Sequence, residues 1–263
     1  MNIDFSACAT FKGENQKPLW VAERFFGMRS RPSITEIART AIKRGLDGVV
    51  LRSFSHPEGT DDRWEFYRVQ MERSGDFSYL GNGVALYSSP DFGKKLIIIH
   101  GQGLMTSEGN IQVLFSDEPV GKRGKDYNKE FKYIIEKARN SGNVLITAAR
   151  PYAWKKYFLN DVDALEVWNG MDSPVNNERA KQIAEELQIP GVYVSNSKCL
   201  RDLGTSYTTI DATDMNLSSS PKIIQLISNG LNSGLNGREG TSRLSKIIQL
   251  AAIAEVNITG NKN

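Results

Sequence analysis

Arg52, Arg150 and Lys198 each lie at or just past the end of a short apolar run: Val49-Val50-Leu51, Val144–Thr147 and Gly191–Val194. A guanidinium is always protonated and an exposed ammonium normally is. Brought together by a fold, three such groups form a pocket for phosphate or another anion. The plainer alternative is that they pair with local carboxylates such as Asp4 or Glu166. A second constellation is Cys8, His56, His100 and Cys199. Two thiolates and two imidazoles suit zinc. The spacing shows neither Cys-x-x-Cys nor His-x-x-x-His, so the plainer reading is a small buried Cys8 and solvated histidines. A third is the basic loop Gly121-Lys122-Arg123-Gly124-Lys125, together with Trp154-Lys155-Lys156-Tyr157-Phe158. Cations track phosphates and rings stack bases, which is nucleic-acid chemistry; a solvated basic face is the alternative. No Ser-His-Asp or Cys-His arrangement is legible, and His100 is the one imidazole expected near a strand end.

These residues need elements to hold them. Ser33-Ile34-Thr35-Glu36 is a capping box opening a helix with Ile34, Ile37, Ala38, Ala41 and Ile42 on one face. Gly45 stops it, and Gly48–Leu51 reads as a buried strand. The alternation recurs: strands at Leu96–Ile99, Ile111–Phe115, Val144–Thr147, Asp163–Val167 and Gly191–Val194, and helices at Asp126–Asn140, Asn177–Leu187 and from Ser220 onward. Apolar strands alternating with amphipathic helices predict an α/β domain with a mainly parallel sheet buried on both faces. In such folds the strand C-termini carry function. Residues 11–32 read as a long loop, and 53–95 as irregular structure or a hairpin over the barrel mouth. The Gly/Asn/Ser-rich stretch Ser228–Gly240 reads as a tether, followed by a helix over 241–256. That helix is apolar over more than one stripe, so it closes the barrel or docks on a protein partner. The expected organisation is a barrel over 1–235 with a C-terminal helix over 241–256.

Read in order, the strand ends resemble one family. Ile3-Asp4-Phe5-Ser6-Ala7-Cys8 stands where a motif Asp-Leu-His-x-His would, and Gly45–Phe54 where a strand ending Thr-Asp-His would. Ile99-His100-Gly101-Gln102-Gly103 looks like Pro-Gly-x-Glu, and Asn110–Phe115 like a strand that begins with His. Ile146–Tyr152 is similar to Ala-His-Pro-Tyr, and Asp163–Gly170 to Asp-x-x-Glu-x-x-Asn. Val194–Lys198, with Leu203-Gly204 after it, looks like Gly-Ser-Asp-Ala-His with Leu-Gly. The resemblance, over roughly residues 3–212, is to the PHP (polymerase and histidinol phosphatase) family. It implies a distorted (β/α)7, TIM-barrel-like fold whose mouth holds a trinuclear metal centre for phosphate-ester hydrolysis.

The departures fall on the metal ligands. Ser6, Cys8, Ser53, Phe54, Gly103, Asn110, Arg150, Asn196 and Lys198 occupy positions where the resemblance implies His, Asp or Glu. Phe cannot coordinate, and Arg and Lys repel cations. Only 2 histidines exist to rebuild a centre. The expectation is a barrel without cofactor or catalytic residues, retained to bind a phosphorylated ligand or nucleic acid. A divergent phosphoesterase with a rebuilt site and a protein-interaction subunit are the alternatives. Bulk composition agrees with an ordinary globular chain: 263 residues, 40% hydrophobic, 24% charged, net charge +3. A charge so small gives no general affinity for nucleic acid or membrane surfaces. Two cysteines make no disulfide framework, and no apolar run is long enough to span a bilayer, so the cytoplasm is the expected location.

Overall fold

The computed structural model describes residues 1–8, 32–56, 59–60, 63–117, 120, 130–197, 200–211, 217–232 and 236–240; for residues 6–8, 54–56, 59–60, 63 and 236 it describes the backbone alone. The loop expected over 11–32, apart from Pro32, lies outside them. So do the helix over 241–256, the basic loop 121–125, Lys198 and Cys199.

The strands expected from apolar runs form the wall of a nearly closed, barrel-like sheet. Strand β1 (Asn2–Cys8) pairs in parallel with β2 (Gly48–His56), which pairs in parallel with β6 (Lys95–Met105). Strand β7 (Asn110–Leu114) is antiparallel to β6 and to β8 (Leu145–Ala148). Parallel pairing then resumes through β9 (Ala164–Asn169) to β10 (Gly191–Val194). The sheet continues past β1, antiparallel, into β11 (Tyr207–Thr209) and β12 (Asn236–Arg238). The expected mainly parallel sheet is thus corrected to a mixed one: β1–β2–β6 and β8–β9–β10 run parallel, while β7, β11 and β12 pair antiparallel. A four-residue link from β6 leaves no room for a crossover helix, so the chain can only form a hairpin.

Closure between β10 and β1 uses side chains rather than a strand ladder. The Ser195 backbone N–H donates to Asp4 Oδ1 at 3.1 Å, the Ser195 hydroxyl donates to Asp4 Oδ2, and the Gly204 N–H donates to Oδ2 at 3.0 Å. Asp4 is fully buried. Beside it the Tyr193 N–H donates to Thr208 Oγ1 at 2.8 Å.

Helices cover the wall. Helix α1 (Ile34–Lys43) has the capping box read from Ser33 and Glu36, and buries Ile34, Ile37, Ala38, Ala41 and Ile42. Helices α3 (Phe131–Asn140) and α4 (Pro174–Leu187) follow β7 and β9. Helix α4 begins three residues earlier than its apolar period suggests, because Ser173 caps it and Pro174 fits its first turn. Helix α5 (Ser220–Asn232) places Ile223, Ile224, Ile227 and Leu231 in the same cluster as the barrel interior, with Ile3, Val50, Ile97, Ile99 and Val192.

Two expectations are corrected. Residues 53–95 are not irregular: besides the two-residue strand β3 (Gly59–Thr60), they hold helix α2 (Arg63–Glu72) and the hairpin β4 (Phe77–Gly81)–β5 (Val84–Ser88). The hairpin does not cover the mouth. Strand β5 pairs with Lys95–Ile99, the N-terminal half of β6, while β7 takes the C-terminal half of the same edge. Second, the supposed tether 228–240 is partly ordered, as the end of α5 and as β12. Its Gly237 and Gly240 are demanded by close approach: a Cβ on Gly237 would lie 2.3 Å from the Tyr193 ring, and one on Gly240 would lie 2.1 Å from Thr205 O. No helix of the described residues is long and apolar enough to cross a membrane.

Candidate functional site

The barrel interior changes character along the strands. Val50, Leu114, Leu145 and Ala164 point inward and join the apolar interior cluster. Side chains alternate with period two, so the next inward positions toward the open end are Arg52, Gln112, Thr147 and Glu166. All four are buried. Strand β7 runs the other way, which is why Gln112 precedes Leu114 and why Asn110, at its start, lies at the same end as the termini of its neighbours. Gln112 reaches across to donate from Nε2 to Phe5 O at 3.0 Å. Gly101 permits this, since a Cβ there would meet that nitrogen at 2.4 Å.

Arg52 and Glu166 form an ion pair inside this polar layer, Nη1 to Oε1 at 3.8 Å. Burial pushes the Glu166 carboxyl above its usual range; Arg52 and a hydrogen bond from Asn169 pull the other way. Asn169 is the organiser of this corner. Its Nδ2 donates to Glu166 Oε2 at 3.3 Å, and its Oδ1 accepts from Met171 N at 2.9 Å and Asn196 Nδ2 at 3.4 Å. Asn177 of α4 holds the Asn169 backbone from both sides, accepting from its N–H at 3.0 Å and donating to its C=O at 3.2 Å. Gly170 follows because a Cβ there would lie 2.8 Å from Ser195 O.

Arg150 sits at the rim, just beyond β8. Its Nε lies 3.3 Å from Asp172 Oδ1, and its side chain is 53% exposed. Tyr152 donates to the other Asp172 oxygen at 3.0 Å, and burial beside that carboxylate pushes its phenol up to about 12. The Asp172 N–H donates to Asn169 O at 3.0 Å, so Asn169 links the Arg150–Asp172 pair to Glu166. Arg150 (φ 53°) and Asn196 (φ 47°) both hold left-handed backbone, uncommon for any residue but glycine. Such strain persists where the surroundings fix it, and it concentrates at functional sites.

Of the expected anion-binding residues, Arg52 and Arg150 therefore reach one site, each matched by a carboxylate; Lys198 is outside the described residues. Of the former ligand positions, Gly103, Asn110 and Asn196 stand at the strand ends, and Ser6, Cys8 and Phe54 are described as backbone only. Ser53 points to the other face of the wall. His100, read as a strand-end imidazole, is placed instead mid-strand on that outer face, because it has the opposite parity to Ile99 and Gly101. It stacks on Trp64 of α2 with ring centroids 4.6 Å apart and 4° between planes. Its Nδ1 is 2.9 Å from Ser116 O, which can only accept, so Nδ1 carries the proton and Nε2 accepts from Ser53 Oγ at 2.9 Å. Burial pushes the imidazole pKa down to about 4.

The described residues contain no group of three or more His, Cys, Asp or Glu arranged to hold a metal. Among the described residues the mouth holds two guanidinium–carboxylate pairs, a donor set that does not fit a multinuclear metal centre of the kind the family resemblance implies. For the zinc set, His100 is turned outward, the side chains of Cys8 and His56 are not described, and Cys199 lies outside. In the aromatic-basic stretch, Trp154 is core: its Nε1 donates to Ala149 O at 3.0 Å and its ring meets Phe131 edge-on. Lys156 pairs with Glu186, and Tyr157 is the exposed ring.

No protein-family model matches the chain, and no curated protein does. Among solved structures, PsfC from Pseudomonas syringae shares the fold, with a TM-score of 0.57 at 14% identity over 98% of each chain. The structure of a putative metal-dependent phosphoesterase from Bifidobacterium adolescentis superposes with a TM-score of 0.45 at 12% identity, over 87% of this chain and 96% of that one.

Proposed function

We propose that this chain is a PHP-like, distorted (β/α)7 barrel that works as a binding module for a phosphorylated ligand, with Arg150 as the contact cation at the mouth. The observation that carries this reading is the Arg52–Glu166 pair. A guanidinium, not a set of metal ligands, neutralises the carboxylate at the heart of the mouth. Next to it, Arg150 is half exposed and held in strained backbone with one edge on Asp172. Arg150 has N–H groups beyond that contact, and a phosphate matches their planar fork.

The test is thermal unfolding with inorganic phosphate at low salt. A ligand that binds only the folded state raises Tm by mass action, and salt should erase the gain. Phosphate should raise the Tm of the wild-type chain, and Arg150→Gly should diminish that rise. No rise in the wild type, or an undiminished rise in Arg150→Gly, sinks the reading. Hydrolysis of p-nitrophenyl phosphate on adding Mn²⁺ would replace it with a divergent phosphoesterase.

A further inference from the structure

We propose a second anion site: the cleft on the outer flank between the end of α1, the Gly204–Thr205 turn and β12 binds a small phosphorylated molecule of roughly nucleotide size. The cleft has a volume of about 550 Å³ and is lined by Lys43, Arg44, Gly204, Thr205, Arg238, Glu239 and Gly240. That volume lies within the ~300–1,000 Å³ typical of small-molecule sites.

Its charge is one-sided. Lys43, Arg44 and Arg238 are cations from two separate elements, and all three are exposed. None of them has an ion-pair partner among the described residues. The one carboxylate in the wall, Glu239, is already paired with Lys181 of α4. Arg44 donates from Nη2 to Arg201 O at 2.7 Å, which anchors the guanidinium and leaves its other N–H groups for a ligand. The helix C-terminus explains part of this, since its dipole favours Lys43 and Arg44. It does not explain Arg238, which is on β12.

The walls are preformed. Gly240 O accepts from Trp168 Nε1 at 2.9 Å and from Ser206 Oγ at 2.7 Å, and the Gly240 N–H donates back to Ser206 Oγ at 3.1 Å. The Gly204 N–H is held by Asp4 Oδ2 at 3.0 Å, and Gly204 has φ 69°. A ligand entering this cleft therefore meets rigid backbone, and little binding energy is spent on ordering it. Three cations on rigid walls suit two adjoining phosphates better than one, so a diphosphate is the favoured head group.

Calorimetric titration of the full chain with inorganic pyrophosphate at low salt tests this site. Pyrophosphate should bind the wild type, Arg150→Gly should keep a pyrophosphate site, and adding Arg238→Gln and Lys43→Gln to Arg150→Gly should weaken that binding at least tenfold. Both substituted side chains are exposed, so the variant should keep the wild-type Tm without ligand. Absence of binding to Arg150→Gly, or unchanged affinity when Lys43 and Arg238 are substituted in it as well, overturns the inference. A single-stranded decanucleotide that binds at Arg238 far more tightly than pyrophosphate would also overturn it, in favour of a nucleic-acid surface. The mouth and the cleft fail separately: loss of binding in Arg150→Gly removes the cleft, and loss in the Lys43/Arg238 variant with Arg150 intact removes the mouth.

Discussion

Arg52 on β2 and Glu166 on β9 face each other across the interior, Nη1 to Oε1 at 3.8 Å, although three strands separate them in the sheet. The pair is a tie across the open end of the barrel, from one wall to the opposite one. Removing one member leaves a buried charge uncompensated, which costs about 3–5 kcal/mol. Arg52→Met should therefore lower stability to denaturant by that order, with Glu166→Met similar. The double Arg52→Met/Glu166→Met variant should recover most of the loss. A double variant as unstable as the summed singles would show that the two do not interact.

Asp4 is a clasp across the seam between β1 and β10. It accepts two backbone N–H groups and a hydroxyl, all from the far side of the seam. Hydrogen bonds to a charged acceptor contribute about 1.5–3 kcal/mol each, and an orphaned buried donor adds a further cost. Asp4→Asn should destabilise the chain by about 3 kcal/mol or more, and Ser195→Ala by about 1–2 kcal/mol. Amide hydrogen exchange should speed up at Ser195 and Gly204 first. Unchanged protection there in Asp4→Asn would contradict the clasp.

His100 predicts an acid limb to stability. Its folded pKa is about 4, below the ordinary 6.5. The folded state thus prefers the neutral ring. Above pH 6.5 both states are neutral and nothing is lost. As pH falls from 6.5 to 4 only the unfolded chain takes up the proton, so stability falls, approaching a total of about 3 kcal/mol near pH 4. Denaturation midpoints across that range should fall less steeply in His100→Gln. The charged group acting on the ring is Asp117, whose field opposes the burial. Equal pH slopes in the two proteins would remove His100 as the cause.

Arg150→Gly should trade function for stability. Glycine takes the left-handed backbone without the ~1 kcal/mol strain of a side chain, and the half-exposed contact with Asp172 contributes little. The variant should unfold at or slightly above the wild-type temperature without ligand. A clear loss of stability would show that Arg150 is structural.

Much of the architecture was legible because its signals are local. The capping box at Ser33, the stop at Gly45 and the apolar runs each specify an element by neighbouring residues, and α1 and β10 fall where those signals place them. Two things were not local. The reversal at β7 depends on a short hairpin whose apolar run looks the same in either direction. The helix and hairpin within 53–95 carry weak periodicity: Trp64, Tyr67 and Met71 are buried, but the charged residues between them blur the stripe. At the site, strand-end reading found Arg52, Arg150, Glu166, Asn169 and Asn196. It missed Gln112, Asp172 and Asn177, whose roles depend on which way a loop or helix turns. The outward parity of His100 was in principle readable, since Ile99 and Gly101 flank it in an alternating strand.

The clasp at Asp4 also sets a schedule. Strand β1 lies mid-sheet between β2 and β11, and its carboxylate accepts hydrogen bonds from Ser195 and Gly204. A ribosome adding about 5–20 residues per second needs on the order of 10–40 s to go from the first of these residues to the last. Throughout that interval the growing chain carries an apolar strand, Ile3 and Phe5 included, with one flank open. A holding chaperone would have its natural work on that strand.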